Sequence, residues 1–102
     1  MNTSENKYDP IESVIFENGL RIVGVHFYTE LDLMLVVLNN KKVLTTPISK
    51  SMKLLLATED QRKNYTLLGD GVAIHWPDID EDISLKGLLQ EELARAGRPL
   101  AA

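Results

Sequence analysis

The chain contains no cysteine, so neither a disulfide nor a thiolate metal site contributes to it, and a reducing compartment suits it. Histidine is almost as scarce. His26 and His75 are the two present, and no serine–histidine–aspartate set is suggested by spacing. Neither a Gly-x-Gly-x-x-Gly fingerprint nor a P-loop occurs, which removes the common phosphate cradles. The opening MNTSENKYDP has no basic start followed by an apolar core, so it does not read as a secretion signal. Apolar runs such as residues 33–38 fall far short of the roughly 20 residues of a membrane span. These absences predict a cytoplasmic domain.

What is present is ordinary in amount and uneven in placement. A chain of 102 residues forms one domain and can bury a core without staples. Residues 1–10 and 97–102 are expected to be flexible, around a single domain over 11–96. The net charge of −4 comes wholly from the last third. Residues 1–64 balance eight acids with eight bases, whereas residues 65–102 set seven acids against Lys86, Arg95 and Arg98. An acidic C-terminal third argues against that part lying on nucleic acid or an anionic membrane.

Periodicity predicts an α+β fold, an antiparallel β-meander with short helices following it. Residues 11–17 (IESVIFE), Asn18-Gly19 and the apolar residues 20–28 read as strand, turn and strand. In the second of these, Val23, Val25 and Phe27 share one face by strict alternation. Residues 32–38 are apolar on both faces, as in a central strand covered on both sides. A turn at 39–41 returns the chain through a strand over 42–46, which Pro47 ends. Met52, Leu55 and Leu56 then recur at helical spacing, giving an inward apolar face with Lys50 and Lys53 outside. Thr58 and Gln61 fit a capping box opening a further helical turn over 59–63. Short strands over 65–68 and 72–76 flank the Gly69-Asp70-Gly71 turn. A last helix carries Leu85, Leu88, Leu89 and Leu93 on one stripe, and Gly97-Arg98-Pro99 stops it.

From Ala57 onward the residues become specific. Ala57-Thr58-x-x-x-Arg62, then Gly69-x-Gly71, then His75-Trp76-Pro77-Asp78-Ile79-Asp80-Glu81-Asp82-Ile83-Ser84 and Gly87-Leu88-Leu89 form a long block. The chain resembles the bacterial domain-of-unknown-function family 2442 over about residues 22–89. The resemblance implies an antiparallel meander and a small non-catalytic domain. Members include fusions to helix-turn-helix segments and neighbours of small proteins, as in toxin–antitoxin pairs. Two departures stand out: Asn40-Lys41 replaces the family's Asp-Gly turn, and Ser51-Met52 replaces its aromatic-Pro pair.

The acids Asp78, Asp80, Glu81 and Asp82 allow three readings. Counted as an EF-hand from Asp78, the sixth and twelfth positions are Ile83 and Leu89, which rejects that loop. A looser divalent-cation site is the first reading left. In the second, Asp82 or Ser84 caps the last helix and the other acids favour its dipole. In the third they form a partner-binding surface for a small basic protein, toxin-like, that would otherwise meet RNA.

His75 and Trp76 face opposite ways in a strand, so at most one is buried. Trp76 is expected as a core lid with its N–H on a backbone carbonyl. Arg62 is expected to form an ion pair with one of residues 78–82, tying helix to loop. Arg62, His75, Trp76, Pro77 and Ser84 are thus read as structural. The basic stretch 41–63 (Lys41, Lys42, Lys50, Lys53, Arg62, Lys63) offers an alternative, a nucleic-acid-binding accessory. A metal-dependent enzyme on His75 and the acids is a third class. The expectation is a non-enzymatic interaction domain, antitoxin-like or regulatory. No catalytic, cofactor-binding or metal-ligating set is expected, and self-association stays open.

Overall fold

The computed structural model describes residues 7–97, so most of the two expected flexible ends lies outside the described residues. Two antiparallel three-stranded sheets share one core. The first runs β1 (Ile22–Tyr28), β2 (Leu33–Leu38) and β3 (Val43–Pro47), with β2 central. Then come α2 (Met52–Leu56) and α3 (Glu59–Lys63), preceded at the N-terminus by α1 (Pro10–Glu12). The second sheet is β4 (Thr66–Leu68), β5 (Ala73–Trp76) and β6 (Glu81–Ser84), followed by α4 (Leu85–Ala96). The fold is α+β, as the periodicity predicts, with the meander motif used twice.

The segment predicted as a first strand is helical instead. Asp9 is the N-cap of α1, Pro10 its first residue, and Asp9 and Glu12 form a reciprocal capping box. The chain continues directly into a π-helical turn over Ser13–Glu17. Gly19, at φ +78°, takes the left-handed position that ends this helix, rather than forming a hairpin turn. Its N–H donates to the Ile15 carbonyl and that of Leu20 to the Val14 carbonyl. The Arg21 guanidinium donates to the Ile15 and Leu20 carbonyls, completing the C-terminus. Ile15 is buried, and Lys86 of α4 forms ion pairs with Glu12 (2.6 Å) and Asp9 (3.4 Å).

Strict alternation in β1 is broken by a β-bulge. Ile22 opposes Leu38 and Gly24 opposes Val37, leaving Val23 as the extra residue. Ile22, Val25 and Phe27 therefore face inward together, and Val23 is exposed. On β2, Met34, Val36 and Leu38 are buried while Leu33, Leu35 and Val37 are only half-buried, so one face is covered rather than two. Leu44 and Thr46 of β3 continue the inner face.

The second sheet joins the first through close backbone approach. The Ile22 N–H donates to the Gly71 carbonyl at 2.8 Å. A Cβ on Gly71 would lie 2.3 Å from the Ile22 carbonyl oxygen, and its φ of +109° is a glycine conformation. Trp76 fills the space between the sheets, edge-on to Phe27 and tilted against Tyr65, with centroids 6.4 and 6.5 Å away. Leu85 and Leu88 of α4 close the core from below.

Candidate functional site

The acidic segment divides between a turn and a strand. Pro77, Asp78 and Asp80 lie in the β5–β6 turn, where Asp80 takes φ +52°. Glu81 and Asp82 open β6, opposite Trp76 and His75. The strand character of 81–84 is what the sequence reading missed. Its one signal, Ile83 facing Ile74 across the ladder, is a single apolar residue among acids.

Neighbours hold the carboxylates of Asp78, Glu81 and Asp82 and the backbone carbonyl of Asp80. Asp78 accepts from the Asn64 side chain at 3.0 Å, and the Asp80 carbonyl accepts from Lys53 Nζ at 2.7 Å. Glu81 accepts from the Ser51 hydroxyl and from the Asp82 N–H. Asp82 pairs with His75 Nδ1 at 2.5 Å. Asp82 therefore does not cap α4; Ser84 does, accepting from the Gly87 N–H at 2.9 Å. Among the described residues, no three His, Asp or Glu side chains converge as metal ligands.

Arg62 does not reach the acids. Its Nε and Nη2 donate to the Leu54 and Leu55 carbonyls at 3.0 and 3.1 Å, closing the C-terminus of α2. The expected ion pair to 78–82 is thus replaced by a cap: the Arg62 guanidinium is taken up by the end of α2, and the link from α3 to the turn is made instead by its C-cap, Asn64, which donates to Asp78. The Arg62 carbonyl accepts from Trp76 Nε1 at 3.0 Å, so the tryptophan is the expected lid, fully buried with its N–H on backbone. His75, on the opposite face of β5, remains partly exposed.

The phase of α2 also differs from expectation. Ser51 accepts from the Leu54 N–H as N-cap, and this sets Leu54 inward at 1% exposure. Met52, Leu55 and Leu56 then point to solvent, 62%, 41% and 76% exposed. On a helical wheel they form one stripe, and Lys53 separates it from the acidic turn. Asp32 accepts from the Ser49 and Ile48 N–H groups, which holds exposed Leu31 at this same end. An apolar stripe thus lies on the same side as the acidic turn, with the Lys53 ammonium between them.

The basic stretch is not one surface. Lys41 and Lys42 sit in the β2–β3 turn, about 16 Å of β3 from Lys50 and Lys53. Lys50 pairs with Glu91, Lys63 with Glu59, and Arg62 and Lys53 bind backbone carbonyls.

Residues 22–94 match the family model described as protein of unknown function, DUF2442. The chain belongs to that family. A crystal structure of a protein of unknown function from Rhodospirillum rubrum is similar to this family member. It shares 28% identity over 72% of this chain and 89% of the other, with a TM-score of 0.62. The solution structure of an uncharacterised protein from Chromobacterium violaceum covers 100% of both chains at 22% identity and TM-score 0.63, a likeness of fold. No curated protein matches. The helix over residues 10–17 precedes the matched region. Among the described residues, no helix is long and apolar enough to cross a membrane.

Proposed function

We propose that the chain is a non-enzymatic protein-interaction domain of the cytoplasm, antitoxin-like or regulatory, which covers a small basic partner. The observation that carries this reading is the outward stripe Met52, Leu55 and Leu56 beside the acidic turn. Single exposed apolar residues are common on any surface, but a contiguous stripe rimmed by charge is the usual anatomy of an interface. The stripe is also presented rigidly. Ser51 caps one end of α2, Arg62 caps the other, and Leu54 anchors it. Little ordering cost remains for a partner to overcome. Asp78, Asp80, Glu81 and Asp82 supply the rim, which favours a basic partner and speeds its encounter.

A tagged pull-down from the native host at moderate salt, read by mass spectrometry, tests this. The expected result is a small basic protein in defined ratio, lost on Leu56→Asp and weakened in the Asp80→Asn/Glu81→Gln/Asp82→Asn variant. A partner retained by both variants, or nuclease-sensitive recovery of nucleic acid alone, would overturn the reading.

A further inference from the structure

A groove of about 440 Å³ opens between β1 and α3, away from the stripe on α2. It is lined by five consecutive residues, Val25 to Thr29, and across from them by Glu59, Arg62, Lys63 and Tyr65. Side chains in a strand alternate between faces, so consecutive residues can line one cavity only through their common main-chain edge. That edge is the outer side of β1, whose other side pairs with β2.

The hydrogen-bonding state of the edge follows from the ladder. The Val25 N–H leaves the sheet and donates to the Tyr65 hydroxyl at 3.1 Å. In an antiparallel pair every second residue faces away from the partner strand. Phe27 therefore presents its N–H and carbonyl outward, into the groove, while His26 bonds to β2. Hydrogen bonds lace the two sheets together at Ile22–Gly71 and at Val25–Tyr65; beyond that point Phe27 meets Trp76 through its ring and not through its main chain. The protein fills one slot of the edge with a tyrosine hydroxyl and leaves the next one open.

We infer that this open edge binds an extended polypeptide segment of a partner by strand addition to β1 at Phe27. The inference rests on the reading of the chain as an interaction domain, but it uses a different surface. Main-chain pairing at Phe27 supplies the docking bonds, and alternate side chains of the segment are read by the walls. One side chain points to the floor formed by Tyr65 and Phe27, which favours an apolar residue. The facing wall carries Glu59 and Lys63, paired with each other at 3.3 Å, and Arg62, whose guanidinium donates to the α2 carbonyls, so one positive charge is left on it. Recognition here is chiefly by backbone and shape, and its salt dependence is that of a single charge, weaker than that of binding at the acidic rim.

The test selects a phage-displayed random heptapeptide library on the intact protein and takes a synthetic copy of a selected peptide into amide exchange. The peptide is expected to slow exchange at the Phe27 amide by at least about tenfold and to leave the His26 amide unchanged. Glu59→Trp, and independently Lys63→Trp, fill the groove from exposed positions and are expected to weaken the peptide by at least about tenfold. Leu56→Asp is expected to leave it unaffected. No selected peptide, an unchanged Phe27 amide, or full affinity in both tryptophan variants would overturn the inference. Peptides lost only on Leu56→Asp would overturn it too while supporting the stripe on α2.

Discussion

Lys41 stands at φ +71° in the turn between β2 and β3, a conformation that costs a residue with a Cβ about 1 kcal/mol. The turn is otherwise well bonded: the Lys41 N–H donates to the Leu38 carbonyl and the Lys42 N–H to the Asn40 side chain. Replacing Lys41 with glycine removes the steric cost and leaves those bonds in place. Lys41→Gly is therefore expected to raise stability by about 0.5–1 kcal/mol, read as an increase in the urea midpoint at constant slope. Single-residue chemistry of this kind was partly readable beforehand. Trp76 was, because a large ring with one donor has few solutions inside a small core. The pairing of Asp82 with His75 was not, since it depends on β6 lying in register with β5. Arg62 meets backbone carbonyls rather than the expected carboxylates for a related reason: a guanidinium donates to carbonyls as readily as to carboxylates, and only the way the chain turns from α2 into α3 chooses between them.

Among the elements, the errors share a cause. Residues 11–17 contain apolar residues that suit a strand or a short helix equally, and the decisive signal was the Asp9-Pro10-x-Glu12 capping sequence before them. The bulge at Val23 and the inward turn of Leu54 each shift the phase of an element by one or two residues. Periodicity over five to seven residues cannot resolve such shifts. The capping box at Thr58 and Gln61 and the strands around Gly69–Gly71 were read correctly because their signals are local.

Docking of α1 onto α4 carries a pH signature. Hydrogen bonding lowers both carboxyl groups, Asp9 chiefly through the Glu12 N–H and Glu12 chiefly through Lys86. Lys86 is raised, first by Glu12. A lowered carboxyl stabilises the docked state above its ordinary titration range, and this is lost as the pH falls through the lowered value. The lysine contribution is present below its ordinary range and is lost as the pH rises through the raised value. Amide protection over residues 10–17, taken relative to the intrinsic exchange rate at each pH, should accordingly fall below about pH 4 and again above about pH 10. In Lys86→Met the alkaline change should vanish and the acid change should shrink; unaltered profiles would argue that Ile15 alone holds the helix.

For the molecule as a whole, the joint between the sheets decides how it unfolds. Ile22, Gly71, Tyr65 and Trp76 connect the two meanders, and the buried residues of both belong to one cluster. Neither three-stranded sheet has a core of its own. Gly71→Ala forces apart the backbones at Ile22 and is expected to lower stability by about 3 kcal/mol. The loss should appear in one transition, with tryptophan fluorescence at Trp76 and circular dichroism falling together. Separate transitions would show that the sheets fold independently.

The stripe on α2 has a consequence for abundance. On the proposed reading, Met52, Leu55 and Leu56 would meet water only until a partner seals them, and the unsealed chain would be the better client for proteases and chaperones. Its lifetime in a cell would then track the supply of that partner, and a three-residue patch would act as a gauge of stoichiometry.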